Sequence, residues 1–429
     1  MQFNNFDANG KTRYRTLPAK RKLTANSLFL RTFEFYMKRV GLVTWYRGTN
    51  YGSVLQAYAL RKALENSGCK VYFLRSFNRP FTLKNIKINF FSKYRINRRN
   101  PLDDCPFPAQ KERFAEFIKE SFPERLPISR CGYRRMLKDT SVFMSGSDQI
   151  WNCRHNFDPF LFLDFAEDVK RVSYASSIGT GEIPAEYKSE VKSLLSGFSH
   201  IGVREKSAET ALSALTGRKD IKTVLDPTFL LSSEEWQDFA QGSGYKHLPE
   251  DHKHLLEGHK PLPKDHKHLP NRYKHLLKGK YIFCYFVGKA SLYEGYLQKL
   301  KAISGLDRAV LLPSNDFPLE TISGAERIEN AGPREFISLL SGADAVLTDS
   351  FHGSALSINL GKQFYCVKRF SDADPLSQNS RLYDLFSLFG IGDRFLENGE
   401  PGKIDYKAVS NRLKELRTES LSFLKKEIE

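Results

Sequence analysis

No Cys-x-x-Cys pair occurs among the six cysteines of this 429-residue chain (Cys69, Cys105, Cys131, Cys153, Cys284 and Cys366). That excludes a zinc ribbon and a thioredoxin-type redox motif. Free thiols in a reducing cytoplasm are the simplest reading. No stretch approaches the roughly 18 apolar residues that read as a membrane span. The N-terminus has no continuous apolar core, so no signal peptide is expected. The Gly-x-Gly-x-x-Gly fingerprint of dinucleotide-binding loops is also missing. Acidic residues are in short supply, 49 against 66 Lys and Arg, which leaves a net charge of +17. Such an excess invites a nucleic-acid reading, but its distribution argues against one. Residues 1–39 carry +7 and residues 245–280 carry +5, leaving only +5 for the rest. An excess of that size suits binding of anionic small molecules.

What is present describes a globular protein, with 41% hydrophobic and 27% charged residues. The length predicts two or three domains. The 33 Phe suit a core of large side chains or a cleft that handles sugars. Residues 1–36 are polar, basic and aperiodic. They read as a disordered extension or as sequence upstream of the natural start, in preference to a targeting peptide. From Arg39 onward β and α patterns alternate. An apolar run at Val40–Trp45, a helix from about Ser53 to Asn66 and a strand at Lys70–Arg75 make one βαβ unit, the seed of a doubly wound sheet. The second half restarts the same rhythm at Tyr281–Val287 and ends on an amphipathic helix from Tyr406 to Glu429. Between the halves lies a tandem repeat: Lys246, Lys253, Lys260, Lys267 and Lys274 fall seven apart. Each unit keeps one apolar position where a coiled coil needs two, and Pro249, Pro261, Pro263 and Pro270 would break a helix. The repeat therefore reads as an exposed linker. Seven of the ten His lie in it, without the Cys or carboxylate pattern that would make a metal site.

Four strand-to-helix junctions carry the candidate chemistry, because open α/β sheets bind ligands at the carboxyl ends of their strands and helix N-termini attract anions. The first runs from Arg47 to Gln56, where Arg47, Asn50 and Ser53 can cap the helix or bond a ligand. At the second, Ser145 to Asn152, Ser147 and Gln149 flank Asp148, either an acid–base group or the residue of an Asx-turn. Trp151 beside them either stacks on a sugar or packs. The third is Arg204, suited to a carboxylate or phosphate unless Glu205 or Asp226 takes it as a salt bridge. The fourth concentrates Asp349, Ser350, His352, Gly353 and Ser354 in six residues, where N–H donors, hydroxyls and an imidazole can hold a phosphate.

Asn50-Tyr51-Gly52-Ser53-Val54-Leu55-Gln56-Ala57-Tyr58, Ser145-Gly146-Ser147-Asp148-Gln149-Ile150-Trp151-Asn152, Val203-Arg204-Glu205, Leu225-Asp226-Pro227-Thr228 and Thr348-Asp349-Ser350-Phe351-His352-Gly353 occur in this order. Together they resemble the polysaccharide pyruvyl transferase family over roughly residues 38–395, and Asn379-Ser380-Arg381 fits as well. The resemblance implies an α/β fold of two Rossmann-like domains facing a cleft (GT-B-like), interrupted by a disordered heptad-repeat insert. The segments expected are an extension at 1–36, an N-terminal domain at 37–240, the Lys/His-rich linker at 241–280, a C-terminal domain at 281–400 and a C-terminal helix at 401–429. It also implies phosphoenolpyruvate as co-substrate, a sugar or lipid-linked oligosaccharide acceptor, and a pyruvate ketal as product. No cofactor, metal or nucleic acid is expected. The expected location is cytoplasmic, with no membrane span but with peripheral membrane association allowed. Arg204, Arg381 and the His352 helix terminus would balance the donor's charge. His352 would bind phosphate and shuttle a proton, and either Asp349 or Asp148 would stand near the acceptor. A nucleotide-sugar glycosyltransferase and a non-catalytic anion or sugar binder are the rival readings.

Overall fold

Short runs of apolar and aromatic residues, largely buried, make the central strands of two parallel sheets, as parallel sheets flanked by helices require. The computed structural model describes residues 37–76, 101–127, 129–166, 168–242, 280–314, 316–374 and 376–429. The expected N-terminal extension and heptad linker lie outside these residues. The first sheet contains β1 (Arg39–Val43), β2 (Lys70–Phe73), β3 (Val142–Ser145), β4 (Lys170–Ser176), β5 (His200–Val203) and β6 (Lys222–Thr223), in the order β2-β1-β3-β4-β5-β6. The second contains β7 (Ile282–Phe286), β8 (Ala309–Pro313), β9 (Glu326–Arg327), β10 (Ala345–Thr348) and β11 (Gln363–Cys366), in the order β11-β10-β7-β8-β9. Both are doubly wound Rossmann-like halves, as expected. Their contacts make Lys38–Glu429 one compact unit.

The strand orders locate the crevices. In the first sheet the winding reverses between β1 and β3, and in the second between β7 and β10. Loops leaving such a pair diverge to opposite faces and open a cleft at the carboxyl ends. Helix α1 (Tyr51–Asn66) follows β1, and helix α2 (Phe351–Asn359) follows β10. The sequence pattern places the second helix only from Ala355. In the structure Ser350 caps it by accepting the Gly353 N–H at 3.2 Å, so His352 lies in its first turn. Gly353 is required there, since a Cβ would sit 2.6 Å from Thr348 Oγ1. Helix α3 (Ser380–Phe389) has no counterpart in the periodic reading. It opens directly after a polar loop that masks its start.

Helix α4 (Tyr406–Ile428) leaves the second half and packs back on the first. The Leu225 N–H donates to Ser420 Oγ at 3.0 Å, and Lys38 Nζ donates to the Glu429 carbonyl at 2.7 Å. Arg417 on this helix donates to the carbonyls of Phe229 (2.5 Å) and Leu231 (3.4 Å) and to Asn359 Oδ1 (2.8 Å). It thereby ties the segment after β6 to α2. Trp236, fully buried, donates its indole N–H to the Thr228 carbonyl at 2.9 Å. Arg417→Met keeps the aliphatic stem but strips three acceptors of a donor, at about 1–3 kcal/mol for each one left unpaired in the interior. It is expected to lower the urea midpoint of unfolding clearly while leaving the slope unchanged.

Candidate active site

One guanidinium organises the crevice. Arg204 follows β5, and its side chain is almost wholly buried. Burial alone would lower its pKa. The carboxylates of Glu205, Asp226 and Asp148 more than compensate and hold it firmly charged. Its Nε donates to Glu205 Oε1 at 2.7 Å and its Nη1 to Asp226 Oδ2 at 3.2 Å, with Asp148 Oδ1 at 4.0 Å. The guanidinium lies 4.0 Å from the ring centroid of Phe351, a cation–π contact. Nη2 is buried and makes no hydrogen bond.

Asp226 is the second node. Oδ1 accepts the Thr228 N–H (2.9 Å) and hydroxyl (2.8 Å). Oδ2 accepts Ser147 Oγ at 3.0 Å as well as Arg204, and lies 3.5 Å from His352 Nε2. Burial opposes its ionisation, yet the neighbouring His352 and Arg204 pull its carboxyl far below the usual range. His352 Nε2 is buried and, like Arg204 Nη2, makes no hydrogen bond.

Asp148 follows β3 in the left-handed backbone region, with φ of 69°. For a non-glycine residue this conformation costs roughly 1–3 kcal/mol and points to a functional constraint. It brings the carboxylate over α1: Ser53 Oγ donates to Oδ2 at 2.6 Å, and the Gln149 N–H donates to Oδ1 at 2.8 Å. Burial raises its pKa, but His352, Arg204 and the Ser53 bond together leave it below the ordinary value. Asn50 caps α1 by accepting the Ser53 N–H at 3.1 Å. Gly52 is the point where the two helices meet, because a Cβ there would lie 2.2 Å from His352 Nδ1. Two helix N-termini, each a partial positive charge, therefore flank the imidazole.

The structure thus brings together Asn50, Ser53, Ser147, Asp148, Arg204, Ser350, His352 and Gly353. It separates others. Arg47 pairs with Glu124 at 3.8 Å, beside Arg75, and has no contact with this network. Ser354 turns inward, donating to the Ser350 carbonyl at 3.0 Å and meeting Cys366 Sγ at 3.3 Å. Asp349 belongs to the crevice of the second sheet, where it accepts the N–H groups of Val287 (2.6 Å) and Gly288 (2.8 Å) and the Tyr293 hydroxyl (3.2 Å). Burial leaves its pKa above the ordinary value despite those bonds. Trp151 packs face to face on Phe162, with centroids 5.2 Å apart, and offers no face to a sugar.

A second cluster joins the cleft. Arg381 Nη2 (2.6 Å), Arg369 Nη2 (2.9 Å) and Gln149 Nε2 (2.9 Å) all donate to Gln378 Oε1. Burial, and then the neighbouring Arg204, weaken the hold of Arg381 on its proton. Asp226, Arg369 and Gln378 were missed as site residues from sequence. Asp226 stood in the Asp-Pro-Thr motif, and Arg369 stands three residues past the end of β11, a position sheet topology marks. Gln378 gave no signal. Among the described residues no group of three or more His, Cys, Asp or Glu can hold a metal ion, and no helix is long and apolar enough to cross a membrane.

The family model for polysaccharide pyruvyl transferases matches residues 50–369, which includes every residue of the Arg204–Asp226–His352 network. The chain belongs to the polysaccharide pyruvyl transferase family. The match leaves Arg47 and the Arg381 motif outside. No curated protein matches the sequence. Among solved structures the chain is similar to a UDP-GlcNAc 2-epimerase from Methanocaldococcus jannaschii, at 9% identity and a TM-score of 0.42, over 88% of this chain and 92% of that one. It is also similar to S. aureus MnaA in a co-structure with UDP, at 12% identity and a TM-score of 0.44, over 89% and 88%. A mutant O-GlcNAc transferase from Thermobaculum terrenum is similar at 12% identity and a TM-score of 0.37, over 92% and 63%.

Helix propensity alone favours Ala over Gly in α1 by about 1 kcal/mol. In this pyruvyl transferase family member Gly52→Ala is expected to do the reverse. It should destabilise by about 1–3 kcal/mol through overpacking, measured by urea unfolding, and displace the His352 ring in a crystal structure of the variant. A stabilised variant with the ring in place would contradict the contact.

Proposed function

We propose that this chain transfers the pyruvyl group of phosphoenolpyruvate to two hydroxyls of one sugar in a cell-surface polysaccharide or its precursor, forming a cyclic ketal. The observation that carries the proposal is the pair of buried donors without hydrogen bonds, Arg204 Nη2 and His352 Nε2, at the N-terminus of α2. A phosphate is the ligand such a constellation suits. Family membership supplies the pyruvyl chemistry, which the fold alone does not.

The reaction balances as follows. The donor's methylene carbon takes a proton and becomes a methyl group, and C2 becomes electrophilic. One sugar hydroxyl adds to C2 and loses its proton. The C2–O bond to phosphate breaks, and the second hydroxyl adds to C2 and loses its proton. Of the two protons released, one replaces that taken by the methylene carbon and one leaves with phosphate. His352 fits the phosphate and the proton transfer. Arg204 neutralises the leaving group. Asp148 is favoured over Asp349 as the carboxylate beside the acceptor. Asp349 is saturated by two N–H groups and a hydroxyl, whereas Asp148 lies in the His352 network and its side chain remains 14% exposed. Its lowered pKa makes it a weak base, and a weak base suffices because a hydroxyl adding to an electrophilic C2 becomes strongly acidic. The six free thiols support a reducing, cytoplasmic setting for the reaction.

Arg204→Ala confounds any activity test, since stripping the cation from a buried carboxylate cluster costs about 3–5 kcal/mol of stability. His352→Ala is the cleaner variant. It is expected to lower phosphoenolpyruvate-dependent turnover by roughly 10²–10⁴-fold in a variant that still folds cooperatively, with a lowered melting temperature because a buried ring beside Asp226 is lost. Phosphoenolpyruvate should raise the melting temperature of the parent more than UDP does. Retained turnover in folded His352→Ala removes His352 from the mechanism, and stabilisation by UDP alone favours nucleotide-sugar chemistry.

A further inference from the structure

Gln378 Oε1 is a crowded acceptor. A carbonyl oxygen has two lone pairs, yet three donors converge on this one within 2.9 Å, and two of them are guanidinium groups. Neither Arg369 nor Arg381 forms an ion pair with a carboxylate among the described residues, and Arg381 is buried. A neutral amide brings no charge to offset two cations held so close, whereas a carboxylate or phosphate does and can meet a guanidinium with two parallel bonds. Arg381 also grips the Gln378 main chain, its Nε donating to the carbonyl at 3.3 Å. The side chain lies at the cleft. The Gln149 side chain reaches it from the first half, while the Gln149 N–H holds Asp148. Asn379 fixes the loop behind it by donating to the Phe370 carbonyl (2.9 Å) and Asp372 Oδ1 (2.8 Å).

We propose that Gln378 Oε1 occupies an anion subsite formed by Arg369 and Arg381, and that a carboxylate or phosphate of a substrate displaces it. The amide is thus an internal competitor. Its displacement also frees Gln149, so filling the subsite breaks a hydrogen bond across the cleft next to Asp148. The subsite is distinct from the Arg204–His352 pair, although Arg204 and Arg381 line the same cavity. Only the identity of the anion rests on the transferase reading. The donor's carboxylate and a phosphate carried by the acceptor are the two sources.

Calorimetric titration of the full chain with phosphoenolpyruvate, inorganic phosphate and a nucleoside diphosphate distinguishes them. Removing the competitor in Gln378→Ala, or in the bulkier Gln378→Leu should Ala fail to fold, is expected to tighten binding about tenfold. Gln378→Glu seats a permanent anion between the arginines and should weaken binding at least tenfold. Tightening confined to phosphoenolpyruvate assigns the subsite to the donor's carboxylate. Tightening of the nucleoside diphosphate assigns it to a phosphate on the acceptor. Tightening of phosphate without any binding of phosphoenolpyruvate keeps the subsite and rejects the transferase reading. Binding of phosphoenolpyruvate that neither variant alters, or that Gln378→Ala weakens, overturns the subsite and leaves that reading standing.

Discussion

The buried pairing of Arg204 with Asp226 is the constraint on which the rest of the site depends. Asp226 lies where the first sheet ends and the chain turns toward the second half, and Thr228 and Ser147 hold its carboxylate from two sides. Arg204 is locked by Asp226 and Glu205, which leaves its third nitrogen directed elsewhere. His352 approaches the same carboxylate from the second half. One carboxylate thus sets the orientation of the guanidinium, the position of the imidazole and the meeting of the halves. A buried ion pair of this kind adds little net stability. Its value here is in fixing geometry, because neither charge has a solvated alternative.

Much of the fold was legible in the sequence because its central strands are buried. Parallel strands covered on both faces read as unbroken apolar runs, and the run at Tyr281–Val287 overshoots β7 by one residue at each end. The start of α2 was not legible. A Ser cap followed by Phe, His and Gly looks like a loop until the Thr348 hydroxyl is seen against Gly353. Short edge strands such as β9 carry too few residues for any period to register.

The site was legible at its junctions and obscure in its partners. Density of functional groups singles out residues 145–152 and 349–354, which follow β3 and β10, the strands beside the two winding reversals. Sequence alone does not show that the Ser354 hydroxyl bonds the helix backbone, or that Arg47 finds a partner far along the chain in Glu124. Asp349 and Asp148 are indistinguishable as letters. Their roles separate only through what each accepts: backbone amides of the second sheet in one case, a hydroxyl on the facing helix in the other. Gln378 illustrates the limit, since an amide in a polar loop acquires meaning only from the arginines it faces.

Both helix N-termini, Arg204 and the Arg369–Arg381 pair direct positive charge at one cleft, and Asp148 stands beside it. That combination suits the proposed doubly anionic donor and hydroxyl acceptor, and residues 50–369 match a family named for pyruvyl transfer. The most direct test is incubation of the full chain with isotopically labelled phosphoenolpyruvate and a panel of lipid-linked and nucleotide-linked sugars, followed by mass spectrometry. The account predicts one acceptor gaining the mass of labelled pyruvate less water, with release of inorganic phosphate. Transfer of a hexose from a nucleotide sugar, with phosphoenolpyruvate left intact, would contradict it.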